Sequence, residues 1–283
     1  MKEVVRVAVM QLNIESDIFD TDVRVKNVEK AVEKISNLAE KEKNLDLVII
    51  PEEFYAGAGY SPISLPDPLD KIKEKVFKKF ADVAKKYSLY MIGGLTTKVN
   101  PMEFKGNNIS FVIDRSGEFI GYQERFHQNV TESPYSFTGT EYKVFDLDFG
   151  KIGIALGADI LFPEVARNFA MKGCEIIVNP TLFPNSSDKT VESFPGNAYL
   201  TCAVARAFEN QVFVILNNGV GDFAHADLKL AGSSIVAGPK GIVYRAGLEE
   251  EYKVVELNSK DKTYAEDKIP VWQMRNQEVC QVK

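Results

Sequence analysis

Cysteine, histidine and tryptophan are scarce in this 283-residue chain, at three, two and one. Cys174, Cys202 and Cys280 are odd in number and widely spaced, so neither a disulfide framework nor a Cys-x-x-Cys metal site is suggested. His127 and His225 lie far apart and read as satisfied loop histidines before they read as a ligand pair. No run approaches the ~20 apolar residues of a membrane span, and the first apolar stretch is too short for a signal peptide. A cytosolic protein without a membrane partner is expected. The triplets at Asn108, Asn129 and Asn185 that match glycosylation acceptors then carry no meaning. An excess of basic charge is missing as well. Thirty-four Lys and Arg against forty Asp and Glu give a net charge of -6, which argues against nucleic acid as a partner. Linkers rich in Gly, Ser and Pro are absent, as are internal repeats, so one domain is expected although the length alone allows two.

What is present suffices for a large core, since 45% of residues are hydrophobic and 26% charged. Val4 to Leu12 reads as a first strand. Val25, Val28, Val32, Ile35 and Leu38 recur at helical spacing, and Leu45 to Ile50 is an apolar run closed by Pro51. A second amphipathic helix carries Leu69, Ile72, Val76, Phe80 and Val83, followed by a strand from Tyr90 to Thr97. Strands around Ile109 to Asp114 and Phe119 to Tyr122 flank a turn at Arg115 to Gly117. Arg125 to Thr140 reads as a functional loop. Strand and helix units then resume from Tyr142 to Leu216, with strands near Ser233, Ile242 and Tyr252 and a tail from Asn258 onward. The expected class is α/β, with a mixed sheet in layers.

Several separated segments carry a resemblance. Val7-Ala-Val-Met-Gln11, Asp46-Leu-Val-Ile-Ile-Pro51-Glu52, Gly153-Ile-Ala-Leu-Gly157-Ala-Asp159, Ala205-Arg206-Ala-Phe-Glu209-Asn210 and Asn217 to Gly221 are similar, in order and spacing, to the nitrilase (carbon-nitrogen hydrolase) superfamily. The resemblance implies a four-layer α-β-β-α sandwich of one domain over residues 1–257. It also implies a C-terminal tail, 258–283, packed on the domain or on a partner subunit, and assembly into a homodimer or larger oligomer through helices. The tail's Ile269, Val271 and Trp272 need burial, which fits.

The family's chemistry uses a cysteine nucleophile, a glutamate that moves protons and a lysine that stabilises developing charge, with a second glutamate beside them. Glu52 and Glu132 fall on the two glutamate positions. In the lysine segment this chain reads Tyr122-Gln-Glu124-Arg125-Phe126-His127, so either Glu124 or Arg125 stands where the lysine is expected. At the nucleophile the chain has Gly157 in Gly157-Ala158-Asp159, and glycine has no side chain to attack with. A substitute thiol is not expected, because Cys174 and Cys202 read as small core residues and only Cys280 lies in a tail.

Glu52, Glu132, Asp159 and Glu124 are therefore expected to converge on a pocket with Arg125 and His127 beside it; Phe183, Phe194 and Tyr199 read either as its mouth or, as is commoner for aromatics at such spacing, as plain core. Gathered carboxylates raise one another's pKa values or demand a cation, which points to a small amine. No metal spacing and no cofactor are indicated. The leading expectation is a non-catalytic protein that binds such a ligand or serves as a partner subunit. The alternative is an amide or nitrile hydrolase in which Glu52 activates water without cysteine.

Overall fold

The computed structural model describes residues 1–16, 21–57, 67–128, 132–186, 196–222 and 228–276. Strand β1 (Val4–Gln11) pairs in parallel with β2 (Leu47–Ile49), and β3 (Tyr90–Thr97), β4 (Gly106–Ile113) and β5 (Phe119–Glu124) continue the sheet. β6 (Ser136–Phe137) joins β4, and β15 (Glu251–Asn258) lies antiparallel to β1 at the edge. A second sheet contains β7 (Phe145–Leu147), β8 (Gly150–Ile154), β9 (Ile176–Pro180), β11 (Phe213–Asn217), β13 (Ile235–Gly238) and β14 (Gly241–Arg245). Its order is β14-β13-β11-β9-β8-β7, while β10 (Pro184–Ser186) and β12 (Leu228–Leu230) form a separate pair.

Alternation of side chains along each strand sorts the core into three layers of packing. Ala8 and Met10 face outward onto Val28, Ala31 and Ile35 of helix α1 (Thr21–Lys41). The same cluster takes in Ile72 of α2 (Leu69–Ile72) and Phe80 of α3 (Lys78–Tyr87), two helices joined by a π-helical turn, Lys73–Phe77. Val7 and Val9 face the other way, onto Ile152, Val178 and Ile215 between the sheets. Ile177 and Val214 pack on Val165 and Phe169 of α4 (Pro163–Met171) and on Ala203 and Ala207 of α5 (Gly196–Asn210). Each fully buried Val, Leu, Ile or Phe contributes roughly 1.5–3 kcal/mol, so these clusters hold the four layers together. The result is the expected α-β-β-α sandwich.

The tail departs from the sequence reading by being helical. Asn258 caps α6 (Ser259–Lys268) by accepting from Lys260 N at 3.0 Å, and α7 (Val271–Met274) follows. It packs on its own domain: Trp272 Nε1 donates to Asn210 O at 3.0 Å, Gln211 Nε2 donates to Ile269 O, and Arg167 and Arg275 lie over the indole. Among the described residues no helix is long and apolar enough to cross a membrane.

Candidate functional site

Three chain segments meet where strands end. Glu52 follows β2, Arg125 follows β5, and Gly157 opens a 3-10 turn (Gly157–Leu161) just after β8. The carboxyl ends of parallel strands are where α/β sheets leave a crevice, so the placement suits a site. Arg125 is the hub. Its Nη1 donates to Glu52 Oε1 at 2.9 Å, its Nη2 to Glu132, and its Nε to Gln128 Oε1 at 3.0 Å. With its amide oxygen turned toward the guanidinium, Asn108 accepts from Nη2 at 2.8 Å and Nη1 at 3.2 Å, and its nitrogen donates to Thr96 Oγ1. Glu52 and Arg125 are only 4% and 5% exposed, so this is a buried ion pair with every donor engaged.

Burial pushes the Glu52 carboxyl up to about 8; Arg125 pulls it down, and Glu53, Glu132 and Asp159 push it further up. The neighbouring Glu53 is pushed up to about 7 by desolvation, opposed by the Thr96 hydroxyl that donates to it and by Arg125. Four carboxyls thus surround one guanidinium. At neutral pH the cluster retains protons because it has too few cations.

Gly157 lies against this cluster. Its φ is +55, and a Cβ built on it would be 2.5 Å from Glu52 Oε2 and 3.0 Å from Oε1. On the far side, a Cβ on Gly94 would come within 2.9 Å of Glu52 Cα, so only glycine there lets β3 approach so closely. The structure therefore brings Glu52, Glu132, Arg125 and Gly157 together.

Three of the expected residues have partners of their own. Glu124 turns away from the cluster, accepting from Asn107 Nδ2 at 2.7 Å, because adjacent residues at the end of β5 point to opposite faces; it is Arg125 that joins the site. Asp159 is fully buried and has no capacity left for a ligand. It accepts from Phe126 N, from His127 N at 2.8 Å and from Leu156 N, and pairs with His127 Nδ1 at 3.0 Å. Asp159 thus ties the turn after β8 to the chain after β5. His127 is stacked on Phe162 at 3.6 Å and belongs to that tie.

Of the aromatic residues, Phe183 and Tyr199 stack at 4.5 Å. Burial pushes the Tyr199 hydroxyl up to about 12, and the charges of Glu52 and Glu132 add to the rise. Phe194, His225 and Cys280 lie outside the described residues. Cys174 is buried among Phe169, Ile177 and Val212, where desolvation pushes its thiol up to about 12. Cys202 sits on α5, and among the described residues neither thiol bonds to Glu52.

Sequence reading missed Glu53, Gln128, Thr96 and Asn108. Two consecutive residues of a strand point apart, so Glu53 gave no signal; the left-handed backbone at Glu53 (φ 50) breaks that rule just after β2.

Comparison with known proteins gives the same picture. The carbon-nitrogen hydrolase family model matches residues 6–262. The chain is 29% identical over 259 residues to a nitrilase of Pyrococcus abyssi, covering 90% of each chain. To omega-amidase NIT2 of Mus musculus it is 26% identical over 290 residues, covering 98% of this chain and 97% of that one. Among solved structures, Nit3 of Saccharomyces cerevisiae superposes with a TM-score of 0.80 at 24% identity, covering 98% and 97% of the two chains. A carbon-nitrogen hydrolase of Helicobacter pylori superposes at 0.83 with 21% identity and the same coverage. A mutant amidase of Nesterenkonia sp. AN1, described as showing covalent addition of the acetamide moiety of fluoroacetamide at its active-site cysteine, superposes at 0.76 with 20% identity, covering 97% and 95%. With two sheets between helix layers, a glutamate after β2 facing the turn after β8, and a family match spanning nearly the whole sequence, the chain belongs to the carbon-nitrogen hydrolase family.

Proposed function

We propose that this chain is a non-catalytic member of its family, whose acidic cleft holds a small cationic ligand such as an amine and whose outer face supports assembly with another subunit. The observation that carries the first part is at Gly157. A side chain at the nucleophile position would stand beside Glu52, and this chain offers only hydrogen there. Arg125 takes the place of a compact ammonium and is already saturated by Glu52, Glu132, Gln128 and Asn108. Its planar guanidinium cannot donate a proton near neutral pH.

The ligand class follows from charge. Glu52, Glu53 and Glu132 face a single guanidinium, so a second cation replaces retained protons and relieves repulsion. Binding of butylamine, followed by titration calorimetry, is expected to strengthen about tenfold from pH 6 to 8.5 and to release protons, since the carboxyls titrating at about 7 and 8 must ionise. Binding that is absent at both pH values, or independent of pH, contradicts the ligand assignment.

Assembly is supported by an apolar groove between α5 and β14, lined by Leu200, Val204, Phe208 and Ile242, where Phe208 and Ile242 are 45% and 58% exposed. Exposed apolar residues grouped in this way mark interaction surfaces. Light scattering at micromolar concentration is expected to give at least twice the 31.6 kDa chain mass, and a monomer mass would contradict it.

A further inference from the structure

Gly157 and Arg125 are linked through one carboxylate. A Cβ at position 157 would lie 2.5 Å from Glu52 Oε2, 3.0 Å from Oε1 and 3.1 Å from Cδ, so the carboxyl fills the volume that any side chain there requires. A glutamate tip ordinarily swings aside at little cost. Here it is held. Arg125 Nη1 binds Glu52 Oε1 at 2.9 Å, and the guanidinium cannot follow a moving carboxyl because Gln128 and Glu132 anchor its other nitrogens. Behind Glu52 the backbone is fixed too, with Gly94 packed so closely that a methyl there would lie 2.9 Å from Glu52 Cα.

We infer that Arg125 is a positioning residue that holds the Glu52 carboxyl over Gly157, so that arginine at 125 makes glycine at 157 obligatory and the two residues behave as one energetic unit. This goes beyond the proposed function and does not rest on it, since it requires neither an amine ligand nor an inactive site. It orders the substitutions. Any side chain introduced at 157 meets the clamped carboxyl first, and becomes tolerable only after position 125 has released it.

The test is a double-mutant cycle in denaturant unfolding with Gly157→Ala, Arg125→Met and the pair. Gly157→Ala alone is expected to lower the folding equilibrium constant about a hundredfold, combining the cost of a left-handed alanine with the displaced carboxyl. In the double variant the loss is expected to be about tenfold smaller than the product of the single losses, because the freed carboxyl can yield. A product obeyed to within about twofold would overturn the inference. Should Gly157→Ala fail to fold, crystal structures of Arg125→Met and Arg125→Lys, grown near pH 5, decide without any change at 157. The Glu52 carboxyl is expected to leave Gly157 in the methionine variant and to stay in the lysine variant, where a hydrogen-bond donor to it is kept. A carboxyl that remains over Gly157 in Arg125→Met would show that Arg125 does not position it.

Discussion

Replacing Arg125 with methionine is expected to destabilise the protein by about 3–5 kcal/mol at pH 8, the usual loss when one partner of a buried ion pair is removed. The residue is 5% exposed and binds two carboxylates, and its removal leaves Glu52 and Glu132 facing Glu53 and Asp159 with no cation among them. The loss should shrink toward pH 5, because Glu52 and Glu53 then carry protons and need no counter-charge. Denaturant unfolding at both pH values measures this. A loss of the size seen for an exposed arginine, within about 0.5 kcal/mol of wild type, would show that the guanidinium is not the hub of the site.

The second large effect concerns pH. Glu52 and Glu53 bind their protons more tightly in the folded protein, at about 8 and about 7, than at the ordinary glutamate value of 4.5. Their contribution to stability is therefore fully present below about pH 4.5 and is lost as pH rises through 7 and 8. The partnered carboxyls Asp46 and Asp67 are lowered and act in the opposite sense, losing their contribution only as pH falls through their folded values below 3.8. Thermal stability should accordingly decline between pH 5 and 9. At roughly 1.4 kcal/mol per pKa unit, Glu52→Gln should gain several kcal/mol relative to wild type across that interval. A variant whose pH profile runs parallel to wild type would contradict the raised carboxyl.

The layers were legible in the sequence because burial writes itself as periodicity. Val7, Ala8, Val9 and Met10 alternate between two cores, and α1 and α3 show their stripes at helical spacing. Short irregular elements were not legible. The strand from Tyr142 shrank to Phe145–Leu147, and β6 lies within what read as a loop, because pairing with β4 supplies its hydrogen bonds and no pattern of its own predicts that. The helices of the tail were not legible because α6 has no buried face; α6 is fixed by the Asn258 cap and by Trp272 docking on α5.

At the site, the resemblance pointed to Glu52, Glu132 and Gly157, and left Glu124 and Arg125 as alternatives. Only the pleat of β5 separates them, sending Glu124 to Asn107 and Arg125 to Glu52. Asp159 and His127 were expected to line the pocket, and sequence cannot show that three backbone amides already bond the Asp159 carboxylate. Glu53 was invisible for the reason that makes it interesting: it needs a left-handed backbone that few residues other than glycine adopt.

Hydrolysis by the unmodified, purified protein tests the central claim most directly. A panel of amides, nitriles and carbamoyl compounds should show release of ammonia no faster than buffer, because acid-base help alone supplies about 10²- to 10⁴-fold and cannot stand in for a covalent nucleophile. Turnover that disappears in Glu52→Gln and is indifferent to thiol reagents would contradict this account, showing that Glu52 activates water in the space beside Gly157.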